Sequence, residues 1–378
     1  MNFDLTDERK MLQDSLRRYL QAHYSSAVIT ELGETPQGYS DEIWTGLADL
    51  GVVGALFSEA HGGYGGSGFD IALVFEELGR VGALDPLLDT AILGGGLLVG
   101  LDSSGQSEKI EAIIAGTLQI ALAHSEPGSR YELSRVQSVG KRQGDEYVIN
   151  AQKAVVVNAE VADYIVISAR TSGSESDRDG ISLFLLPKNS EGVELRGYPV
   201  SSGGRAAEML LDNVSIPASS MLGDEGCALP VLESVQAAAT LAICAEAVGL
   251  MDSISQLTID YLKVRTQFGQ PLGKFQVLQH RMADMLIEVE QAKSALINLA
   301  GHLDASDVQV REKHVSATKN MIGIVARLVA EESIQMHGGI GVTMEYELAH
   351  LVRRLVMVDH RFGDSNYHLE RFIELAVA

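Results

Sequence analysis

The hydrophobic period changes twice along this chain, and that limits the folds open to it more than any other feature of the sequence. Up to roughly residue 118, apolar residues recur at helical spacing, in stretches such as SDEIWTGLADLGVVGAL and FDIALVFEELGRVGAL, with the glycine-rich EAHGGYGGSGFD as a loop between them. Thr6 followed by Asp7 and Glu8 has the chemistry of a helix start. From roughly 119 to 222 the texture becomes short β-branched or alternating runs (YVIN, AVVVN, YIVISAR, ISLFLLP, VELR and EMLLDNVSIP) divided by Gly, Asn, Asp and Pro, which predicts an all-β unit. Beyond about 230 the helical period returns. Leu250, Ile254, Leu257 and Tyr261 share one face, as do Phe275, Leu278, Met282, Met285 and Val289, the stripes expected of long bundle helices. The reading is an α+β multidomain chain, with a helical domain at 1–118, a β domain at 119–222 and a helical bundle at 223–378.

The function classes open to it narrow with charge. A formal charge of −22 argues against nucleic acid, whose backbone needs a basic partner surface. An anionic small molecule would have to be met by local basic groups and helix N-termini. The two cysteines, Cys227 and Cys244, supply neither a disulfide framework nor clustered zinc ligands. The N-terminal MNFDLTDERKMLQDSLRRYL is polar and amphipathic rather than a signal peptide, and no apolar run is expected to reach the ~20 residues a membrane helix needs, AILGGGLLVG being too short and too rich in glycine. A soluble cytoplasmic protein with no membrane partner is expected.

Four local signals carry chemistry. HSEPGSR, residues 124–130, is a turn after the run TLQIALA. VRTQFGQPLGKFQ places Arg265 and the pair Phe268-Gly269 between two helices, and QMHGGIGVTMEYELAH sets Gln335 before Gly338 and Gly339. MVDHRFGDSNYHLERF, residues 357–372, gathers Asp359, His360, Arg361, Asp364 and His368 around Gly363 without the layout of a nucleophile triad or a metal site. Taken singly, each has a plain structural reading: a Pro-Gly turn, a helix hairpin, a helix C-cap and a solvated loop.

Together, and in this order, they make the chain resemble the acyl-CoA dehydrogenases over essentially its whole length. The resemblance rests on the EPG turn, GDEYVINAQKAVVVNAEVADYIVISART, DNVSIPASSMLGDEG, RTQFGQPLGKFQ and QMHGGIGVTMEY. The ending FGDSNYHL is similar to the subgroup named pimeloyl-CoA dehydrogenase small subunit. The resemblance implies an N-terminal helical domain, a central β-barrel-like domain and a C-terminal four-helix bundle. It also implies an acyl-CoA substrate, FAD as cofactor, electron-transfer flavoprotein as acceptor, and a homo-oligomer or an α2β2 hetero-oligomer; no metal is called for. Residue by residue, it sets Ser125 of the EPG turn against the flavin ring, with Val155 and Val157 beside it. Arg265 and Phe268 would reach phosphate and adenine across a subunit interface, and Gln335, Gly338 and Gly339 would hold the adenosine half of an FAD bound mainly by the neighbouring protomer. Arg361, Phe362 and Gly363 would line the substrate pocket.

The departures from the family pattern matter as much. Val155 and Val157 stand where many members have Trp and Thr, so a ring stack and a hydroxyl hydrogen bond to the flavin are lost. The reaction needs a carboxylate to take the α-proton of the thioester. The residue before Gly363, the glutamate of many members, is Phe362, although its backbone N–H survives to polarise a thioester; the alternative site on an earlier helix is Ala239. Two substitutes remain. Glu246 lies two turns along from Ala239 and would otherwise pair with a bundle arginine such as Arg281 or Arg327; Asp364 would otherwise cap a turn. Arg361 could meet the carboxylate of a dicarboxylic acyl group. Three functions follow: an FAD-dependent dehydrogenase for a dicarboxylic, bulky or ring-bearing acyl-CoA; a flavin-sharing subunit with no base of its own, partnered with a catalytic one; or an acyl-CoA oxidase.

Overall fold

A computed structural model describes residues 5–101 and 105–377. Helices α1 (Asp7–His23), α2 (Ser26–Glu34), α3 (Asp41–Asp49) and α4 (Gly68–Val81) are followed by a π-helical segment, Leu88–Gly95, and by α5 (Gly96–Gly100) and α6 (Ser107–Ile114). The eight strands of the central sheet are β1 (Ile120–Ala123), β2 (Val139–Gln143), β3 (Glu146–Val157), β4 (Tyr164–Arg170), β5 (Ile181–Pro187), β6 (Val193–Pro199), β7 (Arg205–Pro217) and β8 (Met221–Leu222). Then come α7 (Leu229–Val264), the hairpin β9 (Thr266–Gln267) and β10 (Gln270–Pro271), α8 (Gln276–Ala300), α9 (Val308–His337), α10 (Glu347–Val358) and α11 (Ser365–Val377). Helices, then a sheet, then helices in chain order are what the hydrophobic periods predict.

Local chemistry sets the boundaries. The Thr6 hydroxyl accepts the Arg9 N–H at 3.3 Å, with Asp7 and Glu8 in the first turn of α1. Ser67 and Asp70 form a capping box at the start of α4, and Gly82 at φ +64° ends that helix. The stretch from Ser40 does not stay helical to Leu56 as its spacing suggests. Gly51 adopts φ +81°, α3 stops, and Gly54–Leu56 is a single 3-10 turn. The run YVIN and the AVVV of AVVVN are both part of the single strand β3.

The chain forms two compact units, residues 1–31, 67–84 and 240–378 in one, 32–66 and 85–239 in the other. In the second unit the strand order is β6-β7-β3-β2-β4-β5-β8, with β1 parallel to β4. Its core gathers the inward residues of this sheet, among them Ile149, Ile167, Leu186 and Met209, around the Tyr147 and Phe184 rings at 5.0 Å. The indole of Trp44 donates to the Gly116 carbonyl at 2.7 Å and ties α3 into the same unit.

In the first unit, α4 meets α7 at two glycines. A Cβ on Gly79 would stand 2.1 Å from the Glu246 carbonyl oxygen, and one on Gly249 would stand 2.0 Å from that of Glu76. Around this close approach Arg80 pairs with Glu76 at 2.6 Å and with Asp252 at 2.9 Å, and Lys293 of α8 meets Asp252 at 2.9 Å. One window of α7, with a mean hydropathy of 1.5, is long and apolar enough to cross a bilayer, contrary to the expectation that no apolar run reaches that length. Since 83% of that window is buried inside the protein, it has the position of a core helix.

Candidate functional site

The first cluster lies at one edge of the sheet. β1 ends at Ala123 and the chain turns through His124, Ser125 and Glu126. The Ser125 carbonyl accepts the Ala154 N–H at 2.9 Å, which ties the turn to β3 where that strand bulges between Lys153 and Val156. At the bulge Val155 takes φ +55°, a region that costs a β-branched residue about 1–2 kcal/mol, and its side chain is 55% exposed. An apolar side chain held outward in a strained conformation fits a surface built to face something.

Beneath that edge lies a buried polar chain that the sequence reading did not pick out. The Lys153 ammonium, wholly buried, donates to Glu126 at 2.6 Å, to the Ser168 hydroxyl at 3.0 Å and to the His124 carbonyl at 3.3 Å. The His124 ring lies 2.9 Å from Ser168, and Glu126 also accepts from Ser138 and from the Gln137 backbone. Burial pulls Lys153 down to about 8 against the pull of Glu126. Burial pushes Glu126 up, but Lys153 and its other donors outweigh that and hold it below its usual range. Burial, reinforced by Lys153, takes His124 down to about 3, so the ring is neutral. The acid of the EPG turn is thus a structural anchor under Ser125. An inward-facing lysine in an alternating strand is the signal that could have found it.

The second cluster lies at one end of the bundle. β9 and β10 pair across Phe268-Gly269, both at positive φ (+52° and +78°), the two-residue hairpin geometry that suits strand twist. Phe268 is 90% exposed at the tip, with Phe275 edge-on at 6.1 Å. Arg265, the residue after α7, is exposed and has no carboxylate partner among the described residues. Tyr261 of α7 stacks on His337 of α9 at 4.4 Å, which brings the Arg265 hairpin to the same end as the turn after α9. There Gln335, Gly338 and Gly339 are exposed, and a Cβ on either glycine would meet nothing within 4 Å. A free guanidinium in a chain of charge −22, an amide and two open glycine backbones suit an anionic dinucleotide.

The third cluster is the turn between α10 and α11. Helix α9 presents Ser316, Lys319, Asn320 and Gly323 at spacings of three, one and three, a single face, and each meets the turn. The buried Lys319 ammonium donates to the Gly363 carbonyl at 2.6 Å and the Asp359 carbonyl at 3.3 Å. Asn320 donates to the Ser365 carbonyl at 2.8 Å, and Gly323 leaves room for Asp359, whose carboxylate accepts the Ser365 N–H and hydroxyl at 3.0 and 2.7 Å. His368 lies 3.0 Å from the Phe362 carbonyl through Nε2 and 3.4 Å from the Ser316 hydroxyl through Nδ1. The carbonyl can only accept, so Nε2 carries the proton. Burial, with Lys319 nearby, lowers the ring to about 4. Gly363 adopts φ +115°, and a Cβ there would strike His368 at 2.4 Å. His360 is exposed; the Arg361 guanidinium lies over the Phe362 ring at 5.0 Å.

Phe362 and Ala239 carry no ionisable group, and Ala239 is fully buried. Glu246 is ion-paired with Arg354 of α10, in place of the expected Arg281 or Arg327, which pair with Glu332 and Glu331. A buried carboxylate needs such a partner. Asp364 accepts the Tyr367 N–H at 2.8 Å, an N-cap for α11. Both candidate substitutes have structural employment. Among the described residues no group of three or more His, Cys, Asp or Glu could hold a metal.

Comparison with known proteins agrees with the sequence resemblance. The family profiles "Acyl-CoA dehydrogenase, N-terminal domain", "middle domain" and "C-terminal domain" match residues 6–108, 121–214 and 233–374. The chain belongs to the acyl-CoA dehydrogenase family, whose members are oxidoreductases. It is 30% identical to a cyclohex-1-ene-1-carbonyl-CoA dehydrogenase of Geobacter metallireducens, over 92% of each chain. It is 26% identical to the caffeyl-CoA reductase-Etf complex subunit CarC of Acetobacterium woodii, again over 92% of each. It superposes on butyryl-CoA dehydrogenase from Megasphaera elsdenii with a TM-score of 0.91, at 25% identity and complete coverage of both chains.

Proposed function

We propose that this chain is an FAD-sharing subunit of an acyl-CoA dehydrogenase hetero-oligomer, in which a second family member carries the catalytic base. The observation behind this reading is the joint occupation of both base positions by Phe362 and Ala239, with Glu246 and Asp364 committed to structural partners. Bound FAD supplies the hydride acceptor for the β-hydrogen. Ser125 and the outward Val155 edge the flavin ring. Arg265, which has no carboxylate partner among the described residues, would meet a pyrophosphate oxygen, Phe268 would face adenine, and Gln335 with the open backbone at Gly338 and Gly339 would hold the adenosine half. These groups serve a cofactor shared with the neighbouring subunit.

The substrate class is an acyl-CoA with a bulky, ring-bearing or dicarboxylic acyl group. A ring-bearing group is supported by the relative named for cyclohexene-carbonyl-CoA. A dicarboxylic one is supported by Arg361 beside residue 362. Electrons leave to an electron-transfer flavoprotein, as the name of the Acetobacterium relative suggests by analogy.

The test is an anaerobic visible spectrum of the flavin-loaded chain, alone and mixed with a base-bearing subunit, before and after a panel of acyl-CoA thioesters. Bleaching only in the mixture is expected. Bleaching of the chain alone would overturn the reading, and hydrogen peroxide on admitting air would make it an oxidase.

A further inference from the structure

Position 155 lacks the ring that many family members carry there, and a ring from another strand lies beside it. In the sheet unit β7 runs between β3 and β6, and the register sets Val157, Ala206 and Tyr198 in one row. Val156 and Ala207, the next residues along, belong to the core, so the row lies on the outward face. Its two ends are separated by two strand spacings, about 9–10 Å. The Tyr198 oxygen nevertheless meets the Val155 N–H on the far strand. To do so the ring crosses β7 over Ala206, whose side chain is a single methyl, 1% exposed. The hydroxyl donates to Glu208 of β7 at 2.8 Å. Burial first, then Glu208, raises the phenol to about 12, so it keeps its proton and is the donor. A ring that only covered Ala206 would need neither polar contact. The two together fix its tip at the bulge, where Val155 is strained at φ +55° and turned outward. Tyr198 is itself only half-buried, so its ring is open to whatever the bulge faces.

We infer that Tyr198 supplies the aromatic contact to the flavin that Val155 cannot, and that Glu208 is the positioning residue that holds its ring there. The inference rests on the proposed reading that this edge of the sheet faces FAD, and adds a contact residue on β6, a strand to which that reading gives no role. An aromatic contact of this kind is worth roughly 3- to 10-fold in affinity.

The probe is FAD itself, titrated calorimetrically into the flavin-stripped full chain, with the fluorescence lifetime of the bound flavin followed in parallel. Wild type is compared with Tyr198→Leu, Tyr198→Phe and Glu208→Leu. A phenol in contact with an isoalloxazine quenches its fluorescence by reversible electron transfer, and a phenylalanine ring does not. Tyr198→Leu is expected to weaken FAD binding roughly 3- to 10-fold and to lengthen the lifetime. Tyr198→Phe keeps the ring, so its affinity is expected to stay within about 3-fold of wild type while the lifetime lengthens as in the leucine variant. Glu208→Leu frees the hydroxyl and is expected to fall between wild type and Tyr198→Leu in both measurements. A purely structural Tyr198 would change affinity in the leucine variant and leave the lifetime of Tyr198→Phe as it was. If Tyr198→Leu fails to fold, Tyr198→Phe decides by its lifetime. An unchanged lifetime in Tyr198→Phe would overturn the inference, and so would wild-type chain that binds no FAD. The proposed function is judged apart from the lifetimes, by bleaching in the mixed protein.

Discussion

At the scale of single residues, Glu246 shows how a reactive group is told from a structural one. Its neighbours along α7 are apolar, and in sequence it reads equally as a base or as a buried ion. Its partner, Arg354, lies 108 positions away, so no local pattern could name it. Glu246→Gln is expected to destabilise the protein by about 2–3 kcal/mol, because it removes the carboxylate from a mostly buried, hydrogen-bonded ion pair with Arg354. Urea denaturation at neutral pH measures this. A Glu246 that served as base would instead abolish thioester oxidation with the midpoint unchanged. The residues legible in the sequence were those in short motifs, such as Phe268-Gly269 and Gly338-Gly339. Lys153 and Lys319 were not, because each acts on groups brought to it by other elements; His368 stood in its motif, but its role at the Phe362 carbonyl did not show. Their one local trace is a polar residue at an inward-facing position.

At the scale of elements, the polar face of α9 is what docks the α10–α11 turn, and one of its contacts is acid-sensitive. His368 titrates near 6.5 when unfolded, but burial lowers it to about 4 in the fold. The folded state therefore binds fewer protons than the unfolded state between those values. The stability this ring supports is present above pH 6.5 and is lost as pH falls toward 4, on the order of 3 kcal/mol in all. His124, lowered by burial to about 3, adds a loss of the same sign in the sheet unit. Thermal melting of His368→Gln is expected to show a flatter decline across that window than wild type; parallel profiles would mean the ring titrates normally. Helix and strand types were readable from period alone, as in α7 and β4. The single strand β3 was not, since its bulge at Lys153 looks in sequence like a break between two strands.

At the scale of the whole molecule, the helical, sheet and helical order followed from hydrophobic period, while the groups proposed to face the cofactor rest on the resemblance. On the proposed reading, position 362 is where the chain's own chemistry can be tested. Phe362→Glu puts a carboxylate where many family members carry one. If the base is all that is missing, acyl-CoA thioesters are expected to bleach the flavin of the variant alone at least 10²-fold faster than wild type. An unchanged rate would mean that the acyl pocket, and not only the base, has been given up. The shape of the turn is set by Lys319, His368, Asp359, Ser365 and Gly363, and none of these contacts uses the side chain at 362. Form and reactivity are therefore inherited separately here. After a gene duplication, one codon could retire a copy from chemistry while its folded surface remained fit to pair with the copy that kept working, and the same codon could bring it back.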